Sequence, residues 1–254
     1  MRVTILGCGA SEGVPTITGK WGNCDPKNPK NQRSRASIAV QKNGTTLLVD
    51  TSPDLRSQWL ASGLRNLDAV LYTHDHADHT HGINDLKPFT HERKKPLPVY
   101  GDAATLRSIK SRFYYAFLSD AETPDIYRPF LTANIIRDPF QVRDISVTPL
   151  VQDHGYSTSL GYRFETIAYS TDVVNLDEHA FQILEGIDIW IVDCIDINPR
   201  PSHSHLSKTL EWIKRVRPRQ AYLTHMTALL DYETLLKDLP KGVEPAYDGL
   251  VIEV

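Results

Sequence analysis

Short apolar runs that stop abruptly at a polar residue recur along the chain. Between them lie stretches in which apolar positions return every three or four residues. The runs "DAVLYT", "PLPVY", "DISVTPL", "IAYST", "DIWIVD" and "QAYLT" predict strands, and "SIAVQKNGTTLLVD" predicts a hairpin about Asn43-Gly44. The stretches "DAATLRSIKSRF", "NLDEHAFQILEG", "SHLSKTLEWIKRV" and "DYETLLKDL" predict helices. "SPDLRSQWLASG" adds a short one, with Ser52 as N-cap, Pro53 at its first position and Gly63 closing it. Such alternation implies a sheet core covered by helices. Residues 113–133, "FYYAFLSDAETPDIYRPFLTA", fit neither period; their aromatics and prolines read as an inserted lid or as a contact surface between two copies of the chain.

No repeat, low-complexity tract or linker divides the 254 residues, and one layered α/β domain spanning 1–254 is the expectation. The N-terminal "MRVTILGCGA" breaks its apolar run at glycine too early for a secretory segment, so Arg2 to Leu6 reads as the first strand. Together with three widely spaced cysteines (Cys8, Cys24 and Cys194), this points to a cytoplasmic chain with no membrane span. The net charge of -3 argues against a surface built for nucleic acid.

The chemistry is concentrated in "THDHADH", Thr73 to His79. His74 and His76, two apart in a loop leaving a strand, can reach one ion, and Asp78 and His79 are displaced enough to serve a second. Imidazole with carboxylate suits Zn²⁺ or Mn²⁺ better than Ca²⁺, which takes oxygen ligands. His154, Asp172, Asp193 and His225 each follow an apolar run, so strands could deliver them to one edge of a sheet.

This stretch resembles the T-H-x-H-x-D-H signature of the metallo-β-lactamase superfamily, with later matches in order at "VQDHGYS", "YSTD" and "YLTHM". The resemblance implies an αββα four-layer sandwich and two divalent metal ions. It assigns His74, His76 and His154 to one metal and Asp78, His79 and His225 to the other, with Asp172 bridging. Asp50, ending "LLVD", matches an aspartate that the superfamily places behind its ligands, although a strand-end turn would use it equally. Two cations together lower the pKa of a water between them and clamp the oxygens of the group under attack. Thioesters, β-lactams and phosphodiesters are all substrates of this ligand set.

Three features narrow the class. "GCGASEGVP" (Gly7 to Pro15) brings glycines that suit a backbone passing close to a site or a tight turn. "SHSHLSKTL" holds His203 and His205, either a proton donor for a leaving alkoxide or histidines decorating a helix start capped by Ser202 or Ser204. The third is the ending "AYDGLVIEV". Together they resemble the phosphodiesterase branch of the superfamily, and most closely the phosphoribosyl 1,2-cyclic phosphate phosphodiesterases of the carbon–phosphorus lyase pathway. That resemblance makes His203 the proton donor or leaving-group stabiliser, with His205 contacting phosphate and Asp78 both ligand and catalytic. Asp193 either orients His203 or caps a turn. The family's structural zinc site does not carry over, because "KWGNCDPKNPKN" has Cys24 alone.

The function expected is a dinuclear phosphodiesterase for a small cyclic or nucleotide-like diester. The alternatives are a tRNA 3′-processing endonuclease, which would need a basic arm that this chain lacks, and a glyoxalase II-like thioester hydrolase, which has no use for His203. Segment 113–133 has Arg128 as its one basic residue, which suits a lid over a small substrate.

Overall fold

The computed structural model describes residues 1–93, 95–117 and 129–254. The middle of the expected insertion, 118–128 with Arg128, therefore lies outside the described residues. The chain first lays down β1 (Arg2–Gly7), β2 (Ser37–Lys42), β3 (Thr45–Val49), β4 (Ala69–Leu71), β5 (Leu97–Gly101) and β6 (Leu131–Ile135). A second series follows: β7 (Phe140–Val142), β8 (Ile145–Asp153), β9 (Thr158–Phe164), β10 (Ile167–Ser170), β11 (Ile189–Asp193), β12 (Gln220–Thr224) and β13 (Val243–Pro245). Finally β14 (Val251–Glu253) returns to pair with β1, giving sheet orders β14-β1-β2-β3-β4-β5-β6 and β13-β12-β11-β10-β9-β8-β7. Each sheet is antiparallel on one side and parallel on the other, the parallel strands being β3 to β6 and β10 to β13.

Continuous apolar runs form strands here because both strand faces are covered. In the hairpin, Ile38, Val40, Leu47 and Val49 face the second sheet, where Tyr162, Phe164 and Ile191 belong to the same core. The alternate residues Ala39 and Leu48 face outward, onto Leu55 and Trp59 of α1 (Leu55–Ser62) and, beyond α2 (Ala77–Thr80) and α3 (Lys87–Arg93), onto Leu106 and Ile109 of α4 (Ala103–Arg112). The second sheet is covered in turn by Phe181 of α5 (Glu178–Leu184), Trp212 of α6 (Leu206–Val216) and Leu235 of α7 (Tyr232–Asp238). The result is the expected αββα sandwich, held by buried side chains each contributing roughly 2 kcal/mol.

Asn43 and Gly44 both take positive φ, 47° and 85°, as a two-residue hairpin requires. Helices α4, α5 and α7 start at Asp102, Asp177 and Asp231, whose carboxylates accept from Thr105 N, Ala180 N and Thr234 N. Two caps differ from expectation. Ser52 accepts from Asp54 N one turn before α1, which begins at Leu55, while Gly63 closes it at φ 71°. At α6 the N-cap position is His205, and Ser204 is drawn away because its hydroxyl donates to Asp193 O. Five strands, β6, β7, β9, β13 and β14, were not anticipated, the short β7, β13 and β14 because three residues are too few to show a period. β6 occupies the end of the segment read as aperiodic, and as an edge strand it is covered unevenly. β9 carries Thr, Ser, Gly and Arg among its apolar residues, which hides its central place.

The loop with Cys24 is fastened without a cysteine cluster. Arg33, 1% exposed, donates to Thr227 O (3.2 Å) and Asn31 Oδ1 (3.3 Å), and Asn31 in turn donates to Asp231 Oδ2 (2.7 Å). Among the described residues no helix is long and apolar enough to cross a membrane.

Candidate metal centre

The strand ends converge as their sequence positions suggest. His74 follows β4, His154 follows β8, Asp172 follows β10 and His225 follows β12, while His76, Asp78 and His79 come from the turn into α2. His74, His76, His154 and Asp172 bring one ligand atom each within 4.8 Å of one another. Asp78, His79 and His225 form a second such group, and Asp172, His203 and His225 a third. Two of these turns, and that at Asp50 after β3, are held in left-handed backbone, with φ 54° at Asp172, 58° at His225 and 64° at Asp50. Such conformations cost about 1–3 kcal/mol and concentrate where a site needs them.

Asp172 divides its two oxygens between the groups. Its Oδ1 is 3.8 Å from both His74 Nε2 and His154 Nε2, whereas Oδ2 is 3.2 Å from His79 Nε2 and 3.4 Å from His225 Nε2. Asp78 Oδ2 lies 3.3 Å from His79 Nε2 and 3.7 Å from His225 Nε2.

Most imidazoles are oriented from behind. His79 Nδ1 donates to Asp50 Oδ2 (2.7 Å), and Asp50 is itself fixed by Thr73 N and Thr73 Oγ1 at 2.8 Å each. His154 Nδ1 donates to the Ser202 carbonyl (2.7 Å), and His74 Nδ1 meets Thr73 Oγ1 (3.0 Å). These contacts leave the Nε2 atoms facing the cluster. The Nε2 atoms of His74 and His79 and both ring nitrogens of His225 are buried without a hydrogen-bond partner. Buried ring nitrogens with no partner, beside carboxylates, are what a pair of divalent cations with mixed nitrogen and oxygen ligands would satisfy.

The electrostatics point the same way. Burial pushes the His74 imidazole well down, helped by the charge on His79, and it also lowers His154. At His79 burial is outweighed by Asp172, Asp78 and Asp50, which raise it. At His225 burial is likewise outweighed by Asp172 and Asp78, which push its pKa up to about 9. Burial would raise Asp78 and Asp172, but the surrounding histidines hold both well below the usual carboxylate range. Protons on the histidines stand where cation charge would otherwise sit.

His203 stands at the rim. Its Nδ1 donates to Asp193 Oδ2 (3.0 Å), and its Nε2 is 3.9 Å from Asp172 Oδ1. Asp193 thus faces His203 rather than capping a turn, and it also accepts from Val173 N (3.0 Å). His205, expected at the phosphate, occupies the N-cap position of α6 and joins none of the three groups, while the intervening Ser204 is buried. His81 is exposed against the Phe113 ring and His179 is exposed on α5. Two participants had no distinct signal. Thr73 was visible in the motif without a role, and the Ser202 carbonyl has no side-chain letter to announce it.

The β-lactamase superfamily domain model matches residues 45–226. The crystal structure of a diphosphatase from the PhnP family superposes with a TM-score of 0.91 at 32% identity, covering 99% of this chain and 97% of that one. An octanoyltransferase of Porphyromonas gingivalis is 32% identical over 98% of this chain and 51% of its own length. A ribonuclease Z of Methanopyrus kandleri is 31% identical over 54% of this chain and 46% of its own. The chain thus spans about half the length of these two curated relatives, and the octanoyltransferase name describes a protein about twice as long. On the family match, the shared fold and the likeness to the diphosphatase, the chain belongs to the metallo-β-lactamase superfamily of hydrolases, within its PhnP-like group.

Proposed function

We propose that this hydrolase cleaves a small phosphodiester, cyclic or nucleotide-like, at a site for two divalent cations, Zn²⁺ or Mn²⁺. His74, His76 and His154 would hold one cation, Asp78, His79 and His225 the other, and Asp172 would bridge them. Bound there, the cations would supply a water acidic enough to ionise near neutral pH and positive charge against the phosphoryl oxygens.

The observation that carries the reading is the Asp193–His203 pair, whose imidazole lies beside Asp172 and His225 while its Nδ1 is held by a carboxylate outside those seven residues. When water adds to phosphorus, the ester oxygen leaves as a strongly basic alkoxide unless it is protonated. His203 Nε2 is placed to give that proton, while Asp193 fixes the ring and steadies its positive charge. A thiolate leaves readily and asks for no such donor, so the pair favours an oxygen leaving group over a thioester. The diphosphatase likeness supports the same class, a phosphoryl centre with an oxygen leaving group. The ribonuclease Z relative supports phosphodiester chemistry as well, over about half of the chain.

The test is hydrolysis of bis(p-nitrophenyl) phosphate by metal-stripped protein reloaded with Mn²⁺ or Zn²⁺, with a thioester beside it and cyclic ribose phosphates next. Diester turnover that returns with metal is expected. Activity on the thioester alone would overturn the reading. His203→Ala should lower turnover of an alkyl diester by about 10²-fold with metal content unchanged. Loss of metal from that variant would make His203 a ligand instead.

A further inference from the structure

The loop between β11 and α6 touches the surroundings of three strand ends of the cluster at once. Ser202 O receives His154 Nδ1, Ser204 N donates to Val173 O beside Asp172 (2.6 Å), and Ile195 O accepts from Thr227 N, two residues after His225 (3.2 Å). His203 projects from the same loop. Its two feet are tied together, with Ile195 N donating to Ser204 O (3.1 Å) and Leu206 N to Asp196 O (2.9 Å).

Inside this loop lies a carboxylate that the site does not use. Asp196 is 1% exposed, and both of its oxygens are engaged. Oδ1 accepts from Ile197 N (2.6 Å) and Asn198 N (3.4 Å), while Oδ2 accepts from Arg200 Nε (2.9 Å) and Arg200 Nη2. A guanidinium gripping one carboxylate oxygen through two nitrogens is geometrically demanding, and here it folds the loop back on itself. Pro199 and Pro201 flank Arg200 and restrict φ on both sides of it. Pro201 then abuts Gly155, where a Cβ would lie 2.7 Å from Pro201 O. The clasp is thus passed along two residues, from Arg200 through Pro201 to Ser202 and His203.

We infer that the Asp196–Arg200 clasp is the positioning device for His203, setting the loop so that the proton donor faces the cluster. Arg200 itself touches no reacting group; it acts through the loop. The inference rests on the proton-donor reading of His203.

Two phosphodiesters separate positioning from general damage. Bis(p-nitrophenyl) phosphate releases a stabilised phenolate that needs little protonation, whereas a five-membered cyclic phosphodiester of ribose releases an alkoxide. Arg200 is half-exposed, so Arg200→Ala should fold and keep its metal. It should lower kcat on the cyclic diester by about tenfold, with KM and the nitrophenyl reaction little changed. Arg200→Lys, which keeps the charge without the fork, should fall between. In the Arg200→Ala, His203→Ala double variant the loss should be no greater than in His203→Ala alone. In the metal-free protein, the NMR signal of the His203 Nδ1 proton, protected by Asp193, should broaden in Arg200→Ala. Equal losses on both diesters, multiplicative losses in the double variant or an unchanged proton signal would overturn the inference. If His203→Ala itself lowered both reactions equally, the proton-donor reading would fall and this inference with it. If His203→Ala were selective and Arg200→Ala were not, the inference alone would fall.

Discussion

His79 Nδ1 lies 2.7 Å from Asp50 Oδ2, with both side chains fully buried behind the cluster. Burial raises the Asp50 carboxyl, and His79 together with the two bonds from Thr73 opposes that rise. A carboxylate in this position fixes the tautomer and aim of a ligand ring and increases its basicity. Asp50→Ala should therefore weaken metal retention by about 10–100-fold, measured by competition with a chelator, and Asp50→Asn should weaken it less. Unchanged retention in Asp50→Ala would make this aspartate a strand-end brace and nothing more.

Metal uptake should release protons. His225 must be neutral to bind a cation, yet Asp172 and Asp78 push its pKa up to about 9 against the effect of burial. Below that value a cation has to displace the proton, so affinity should climb as pH rises toward about 9, by up to tenfold per unit from this group. Calorimetric titration of the metal-free protein in buffers of different ionisation enthalpy would count the protons. Binding with no release at about pH 7 would show that the ring is already neutral or is not a ligand.

How much of this was legible beforehand depends on whether a letter carries the signal. The convergence of these histidines and aspartates was legible because such residues at strand ends have few other reasons to recur, and because β4, β10 and β11 are buried on both faces and read as nearly unbroken apolar runs, while β12 is half-buried on one face. The Asn43-Gly44 turn was legible because positive φ selects those residues. Less was available where the backbone does the work. Ser202 meets His154 through a carbonyl across 48 positions, and no residue type encodes that. Asp193 could cap or orient until the fold placed His203 3.0 Å from it. His205 carries the same chemistry two positions on, and only the fold shows that it sits at the N-cap of α6, outside the three groups.

The absence of a cysteine cluster around Cys24 has a structural counterpart in Arg33. Its guanidinium joins the loop to Thr227 O, two residues beyond His225, and its own N–H and C=O exchange 2.8 Å bonds with Val14. Arg33→Ala would leave a cavity and an unmatched buried carbonyl, so a loss of about 2–4 kcal/mol is expected in urea unfolding. Elemental analysis of the unaltered protein should find the cations of the cluster and no third ion. A third ion, or a neutral Arg33→Ala variant, would mean that the loop is held by something else.

Asp248, from the "AYDG" ending, ties the first loop to the last strand by accepting from Cys8 N (3.0 Å), Ser34 N (2.7 Å) and Ser34 Oγ (2.5 Å). Burial outweighs these bonds and pushes its pKa up to about 6, from an ordinary 3.8. The native state therefore binds this proton more tightly than the unfolded chain does. The resulting stabilisation is complete below the unfolded value and is lost as pH rises through about 6, the reverse of a carboxylate whose pKa is depressed. A shift of about two units corresponds to roughly 3 kcal/mol. Asp248→Asn cannot titrate, so its absolute stability will reflect the altered hydrogen bonds while its pH dependence loses this component. Between about pH 4.5 and 7.5 its stability relative to the unaltered protein should shift by about 2 kcal/mol in the variant's favour, as read from paired urea unfolding curves. A flat difference across that range would show that the buried site holds the ionised carboxylate as well as the protonated one. In that case the bonds from Cys8 and Ser34 would fully offset its burial.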